Sequence, residues 1–331
     1  MGETADMSIV KLANYRCVWN YVHSHGTVTI PQISQATGLS LPTVTRAVDF
    51  GVSDGLICTC GIVGGERGRR AQTYSINNDF MHFLFISLHC HRLYYQVQDF
   101  LRNILVSGDF SIDDSSALAD MKSVIKKRTL DDPLIKTVGI SIAATVNNGM
   151  VYESYDYPSL NGFDLKGCLE KEFGKTVIIE NDLHAAVCAS LRYLPEVNSK
   201  VIVAYLFGED GYGSGILVNG ELLRGSTGAA GKITNIVVTQ EDRHSNKFYA
   251  EVLCSLSAII NPDTVILYPH GKANSKKVQS LAFKNFKSQK VPDIVEDRSF
   301  SADVFLGLRQ ISNTVLLEAG KEKPELNLKL K

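Results

Sequence analysis

The chain has 331 residues, 44% of them hydrophobic and 21% charged, with a formal net charge of −1. That composition is globular and the length suits two or three compact units. No stretch approaches the roughly 18–20 apolar residues that span a bilayer, and "MGETADMSIVKLANYR" at the N-terminus has neither a secretory h-region nor a complete myristoylation signal.

The seven cysteines (17, 58, 60, 90, 168, 188, 254) are odd in number and scattered, the usage of a reducing cytoplasm rather than of a disulfide framework. A cytoplasmic location without membrane attachment is therefore expected. Cys58-Thr59-Cys60 is the one close pair. On a strand both sulfurs face one side, but no second Cys or His cluster completes a tetrahedral metal site. The pair is read as two small strand residues.

In chain order, "SIVKLANYRCVWNYVHSH" carries Ile9, Leu12, Tyr15, Val18, Trp19 and Val22 at the spacing of an amphipathic helix that ends at Gly26. "TIPQISQATG" follows as a short helix with Pro31 in its first turn. "LSLPTVTRAVDFGVSDG" predicts a third, with Ser40 as N-cap and Val44, Ala47, Val48 and Val52 as its apolar stripe. "LICTC" and "QTYSIN" are strands joined by the glycine- and arginine-rich "GIVGGERGRRA". Three helices and such a hairpin make a winged helix-turn-helix over residues 1–78.

Asn77-Asn78-Asp79-Phe80 marks the boundary. Beyond it strand–turn–strand units start near residues 83 and 200, and each is followed by further strands and helices. This predicts an α/β body of two similar lobes, residues 79–195 and 196–331, with the C-terminal helix 301–320 completing the first.

In a helix-turn-helix the second helix of the motif enters the major groove. Here it offers Ser40, Thr43, Thr45 and Arg46 outside the apolar stripe, and arginine is the commonest reader of guanine O6 and N7. Arg67, Arg69 and Arg70 at the wing tip suit phosphates or a narrow minor groove. Residues 1–78 hold six Lys/Arg against five Asp/Glu, a net of +1, so positive charge is local to the wing. Specific double-stranded DNA is the expected partner, and a winged helix used for protein contacts is the alternative. One such helix reads few base pairs, so a homodimer or dimer of dimers on an inverted-repeat operator is expected.

"LSLPTVTRAVDFGVSDGLI" with "GERGRRAQTYSIN" resembles the DNA-binding head of repressors in the ROK family (repressors, open reading frames and kinases). "IENDLHAAVCAS", "EDGYGSGILVNGELLRGSTGAAGKI" and "PSLNGF" resemble that family's sugar-kinase-like body, and together the pieces cover about residues 8–320. The resemblance implies two actin-like, ribonuclease-H-type lobes around a sugar cleft, in which active members phosphorylate a hexose with ATP.

Several positions depart from the kinase pattern. The family's first phosphate turn, Asp-x-Gly-Gly-Thr, is matched by Ser87, His89, Cys90 and His91, which puts side chains where the turn needs none. A metal held by His89, Cys90 and His91 is not expected, since adjacent residues rarely converge. The second, glycine-rich loop reads Glu209-Asp210-Gly211-Tyr212-Gly213-Ser214-Gly215. Two unit charges about 4 Å apart at an effective dielectric near 20 interact by roughly 4 kcal/mol, so carboxylates here oppose a polyphosphate. Lys232 and Asn235 replace a sugar-binding Glu and a zinc- and sugar-binding His, and the family's cysteine-rich zinc loop is absent.

The expectation is a DNA-binding regulator, a repressor, whose body has lost catalysis and holds neither metal nor cofactor. Asn181, Asp182, Asn161, Gly162, Lys232 and Asn235 are the candidate contacts for a sugar, sugar-phosphate or sugar-acid effector. Asp182 is the remnant of a catalytic base, or else caps the helix that follows it. Lys232 either recruits an anionic ligand or is a surface lysine paired with Glu221 or Asp242. An ATP-dependent hexose kinase with a DNA-binding head, and a dimer that binds DNA with no ligand, are the alternatives.

Overall fold

The computed structural model describes residues 2–64, 70–208, 211–235, 244–284, 286, 290–296 and 298–319, with the side chains of residues 2–10, 12, 235 and 316–319 excepted. Arg67, Arg69, Glu209, Asp210, Asp242 and the side chain of Asn235 therefore lie outside the described part. The chain forms two compact units.

The first unit comprises the N-terminal residues through His82, with Asp99–Asn103 and the segment from Asn313. Helix α1 (Gly2–His25) buries Tyr15, Val18, Trp19 and Val22. The chain's single tryptophan, Trp19, donates from Nε1 to the Ala47 carbonyl at 3.0 Å, which satisfies the indole within the core. A two-residue strand β1 (Val28–Thr29) leads into α2 (Ile30–Thr37). Thr29 and Gln32 form a reciprocal capping box at its start, and Gly38, left-handed at φ +70°, ends it.

Helix α3 (Leu41–Ser53) buries Val44, Ala47 and Val48 as the periodicity predicts, but Val52 is exposed. Ser40 holds the N-cap backbone conformation without capping by its side chain; its hydroxyl pairs with that of Thr43 at 2.9 Å. Strands β2 (Ile57–Val63) and β3 (Ala71–Ile76) close a sheet ordered β1-β3-β2. Strand β1 is too short to show an alternation in sequence; only its pairing with β3 defines it.

The second unit holds two five-stranded mixed sheets. The first is built from β4 (His82–His89), β5 (Arg92–Gln98), β6 (Ile104–Ser111), β7 (Ile135–Ile142) and β10 (Thr176–Asn181), ordered β10-β7-β4-β5-β6. Between these strands lie α4 (Ala117–Asp131), a small hairpin of β8 (Thr145–Asn147) and β9 (Met150–Tyr152), and α5 (Leu165–Phe173). Two short helices follow β10: α6 (Asp182–Cys188) and α7 (Ser190–Tyr193).

The second sheet, ordered β13-β12-β11-β14-β15, repeats the plan. A hairpin of β11 (Val201–Gly208) and β12 (Gly211–Val218) carries β13 (Glu221–Leu222) on one side; α8 (Asn246–Ile260), β14 (Thr264–Pro269), α9 (Ser275–Ala282) and β15 (Asp293–Val295) complete it. In both sheets a hairpin adjoins parallel strands, so the two lobes are alike, as the sequence reading expects. Helices α4 and α9 are additions to that reading.

Helix α10 (Phe300–Ala319) is the last described element, and its residues as far as Ser312 belong to this unit. The Arg309 guanidinium lies 3.7 Å from the centre of the Phe83 ring on β4. Gly307 meets α6 so closely that a Cβ there would stand 1.7 Å from the Ala185 carbonyl oxygen.

Candidate functional site

Local chemistry places the centre of the site. Strand β10 ends at Asn181, whose side-chain oxygen accepts from the Leu183 and His184 N–H groups at 2.9 and 3.0 Å. Asn181 is therefore the cap of α6, and its amide nitrogen donates to the Ala144 carbonyl at 2.9 Å. Asp182 Oδ1 also accepts from the Leu183 N–H, at 2.8 Å, so the capping role weighed for Asp182 is shared, with Asn181 holding the larger part. Asp182, only 3% exposed, turns its carboxylate into a cavity of about 360 Å³, where Oδ2 lies 3.7 Å from His89 Nδ1.

Glycines in β12 allow α6 to lie against that strand. A Cβ on Gly215 would meet the Leu183 carbonyl oxygen at 2.2 Å, and one on Gly213 the Leu183 side chain at 2.5 Å. Gly213 and Gly215 of the second loop thus lie within a strand and serve helix packing, whereas a Cβ on Gly211, at φ +132°, would meet nothing. Nothing about their positions requires a phosphate.

The turn at the position of the family's first phosphate loop joins β4 to β5. His89 pairs with Arg92 across it, and Cys90 and His91 sit at φ +48° and +53°. Two non-glycine residues in left-handed conformation cost roughly 1–2 kcal/mol each, and the surrounding hairpin holds them there. The Cys90 N–H donates to Asp156 Oδ2 at 3.1 Å. Ser87, at the position of the family's Asp, is buried and accepts from the Ser141 hydroxyl at 2.9 Å.

The other wall of the cavity is a loop through Gly228–Thr234. Lys232 reaches Glu153 in an ion pair, with Thr145 Oγ1 3.5 Å from its ammonium; burial alone pulls the Lys232 pKa below the ordinary lysine value. Its carboxylate partner among the described residues is Glu153 and not Glu221. Behind this loop, Glu180 Oε1 meets His184 Nδ1 at 3.0 Å, while Oε2 accepts from Arg224 Nε and Nη2 at 3.0 and 2.7 Å. His184 Nε2 faces the Ala230 carbonyl at 3.0 Å, which ties the loop to α6. Burial pushes the Glu180 carboxyl up, but the His184 hydrogen bond and the charges of His184 and Arg224 outweigh it and hold the pKa below the usual range.

Of the expected effector contacts, Asn181, Asp182 and Lys232 line the cavity, whereas Asn161 and Gly162 do not. Asn161 accepts from the Ser154 N–H at 2.8 Å, and the Gly162 N–H donates to the Val151 carbonyl at 2.8 Å. Both brace the loop that presents Glu153, Tyr155 and Asp156, so their effect on the cavity is indirect. Those three residues and Thr145 are among the lining groups that sequence reasoning missed. Tyr155 is 80% exposed at the rim, an aromatic face open to a ligand.

On the first unit, Arg46 is exposed on α3, and Thr43 is half-buried beside Ser40. The Thr45 hydroxyl donates back to the Leu41 carbonyl at 2.9 Å, which leaves only its acceptor side for a partner. Arg70 is exposed at the start of β3. Among the described residues no group of three His, Cys, Asp or Glu side chains converges as a metal site, and no helix is long and apolar enough to cross a membrane.

Comparison with known proteins places this geometry. The ROK family profile matches residues 115–246. The xylose repressor of Bacillus spizizenii (strain W23) is 21% identical over 243 residues, 71% of this chain and 63% of that protein. The xylose repressor of Staphylococcus xylosus is 25% identical over 261 residues, 75% and 67% respectively. The chain thus spans about three fifths to two thirds of the length of such relatives. A crystal structure of a ROK family transcriptional regulator, described as a homolog of the E. coli MLC protein, superposes with a TM-score of 0.66 at 16% identity, over 96% of this chain and 98% of that one. A ROK family glucokinase from Streptomyces griseus, in complex with glucose and AMPPNP, superposes at 0.57 with 14% identity, over 70% and 98%. Residues 115–246 thus carry a ROK family domain, set in a fold shared with these solved ROK proteins.

Proposed function

We propose that this protein is a sequence-specific DNA-binding repressor whose kinase-like body binds a sugar-derived polyol and does not transfer phosphate. The observation that carries this reading is the Asp156–Cys90 contact. Phosphoryl transfer needs backbone N–H groups turned toward the phosphates, a metal and a positioned base. Here the N–H of the first turn is taken by a carboxylate, which would also repel a phosphate oxygen at that point.

The remaining geometry suits a polyol. Asp182 is a buried acceptor, Tyr155 offers a ring at the rim, and Thr145 adds a hydroxyl within one cavity of monosaccharide size. With no nucleotide held in line, Asp182 accepts a hydrogen bond from a ligand hydroxyl and removes no proton. Arg46, Thr43 and the wing arginines read or clamp DNA, and a homodimer places two heads on an inverted repeat. The solved ROK regulator and the xylose repressors support the regulator reading over the kinase reading.

The test joins two measurements on the full chain. Selection from a random DNA pool should return an inverted repeat, and ATP-Mg with a hexose panel should give no turnover. Hexose-dependent ATP hydrolysis that Asp182→Asn abolishes would establish a kinase instead.

A further inference from the structure

Cys58 and Cys60 stand one residue apart on β2, and both thiols turn to the same hydroxyl. Cys60 Sγ lies 2.9 Å from Ser75 Oγ and Cys58 Sγ 3.2 Å from the same atom, so the sulfurs are at most about 6 Å apart. The β2–β3 register shifts between Thr59 and Gly61, which makes Cys60 the extra residue of a bulge. A bulge bends its strand and departs from the regular spacing of a flat one, toward the Cα separation of about 4.4–6.8 Å that a disulfide spans. Cys60 is exposed and Cys58 half-buried, and neither belongs to the apolar core. Core packing and the expected DNA contacts leave both thiols unused.

We propose that Cys58 and Cys60 form an oxidisable dithiol that closes to a disulfide within β2 when a hydroperoxide reaches Cys60. The exposed Cys60 thiolate attacks one peroxide oxygen. The O–O bond breaks, the sulfur becomes a sulfenic acid, and the other oxygen leaves with a proton as water or alcohol. Cys58 then attacks the sulfenic sulfur; the S–S bond forms, the S–O bond breaks, and the hydroxyl leaves as water with the Cys58 proton. The two thiols supply the two electrons that the peroxide accepts. Ser75 holds both sulfurs together beforehand and gives up both contacts on closure. The reaction would draw in the strand that leads to the arginine-rich turn.

The sequence makes the test direct. Trypsin releases residues 47–67 as one peptide that contains Cys58 and Cys60 and no other cysteine. Native full-length protein is treated with hydrogen peroxide, blocked with N-ethylmaleimide, digested and weighed. The expected peptide is lighter by two hydrogens, carries no maleimide, and takes up two maleimides once reduced. In Ser75→Ala the same product should form several-fold more slowly. A peptide that still takes up two maleimides after peroxide, or one that carries Cys60 sulfinic acid beside an alkylated Cys58, would overturn the proposal.

Discussion

Arg224 closes on Glu180 with two hydrogen bonds, from Nε at 3.0 Å and Nη2 at 2.7 Å, while His184 holds the other carboxylate oxygen. Glu180 is 2% exposed, so its charge is stable there only because both partners face it. Glu180→Gln should cost about 3 kcal/mol, the low end for breaking a buried pair, since the Arg224 side chain is 47% exposed and its share is screened.

The same group sets an acid dependence. Its pKa is lower folded than unfolded, so its stabilisation is fully present above the ordinary carboxylate range. That stabilisation disappears as pH falls through the depressed folded value. Thermal melts from neutral to acid pH should show the wild type losing its advantage over Glu180→Gln. Parallel curves would remove the charge explanation.

Asn181→Ala should cost about 1 kcal/mol by uncapping α6, whereas Asp182→Ala, which loses one shared contact to the Leu183 N–H and keeps both Asn181 contacts, should cost less. Urea unfolding midpoints separate the two. In a ligand screen by thermal shift, the order should reverse, with Asp182→Ala losing the response that Asp182 supports as an acceptor.

Glu153 neutralises Lys232 within the cavity. Glu153→Gln should therefore release a cation and strengthen the binding of sugar acids relative to neutral sugars, as read by calorimetric titration. An unchanged ratio would mean that the ammonium does not face the ligand.

Arg46→Ala should weaken operator binding by about 1–3 kcal/mol and relax preference at one base position. Replacing Arg67, Arg69 and Arg70 together should weaken binding to all sequences and flatten its dependence on salt. Gel-shift titrations at several salt concentrations distinguish these outcomes.

Gly307→Ala should destabilise the body by more than 1–3 kcal/mol, the common cost of overpacking, because the added methyl meets backbone rather than a movable side chain. A far-ultraviolet melt should show the lowered midpoint, and an unchanged one would mean that α10 can move away from α6 at no cost.

Much of the architecture was legible in the sequence because local periodicity governs it. The stripe of α3 at Val44, Ala47 and Val48, the short α2 bounded by Pro31 and Gly38, and the repeated hairpins near residues 83 and 200 follow from spacing alone. The departure at Cys90 and His91 was legible only beside the kinase pattern that the chain resembles, since it depends on which residue types occupy adjacent positions. Spacing did not reveal which polar atoms were already spent. Asn181 and Asp182 look equivalent as neighbours and both line the cavity, yet Asn181 holds two N–H groups of α6 where Asp182 shares only one. Arg224 finds Glu180 across 44 residues, Cys90 finds Asp156 across 66, and Lys232 finds Glu153 across 79. Asn161 and Gly162, read as ligand contacts, instead brace the loop that carries Glu153 and Tyr155. A hydrogen bond depends on distance in space, and only the folded chain brings such distant residues within 3 Å or so of each other.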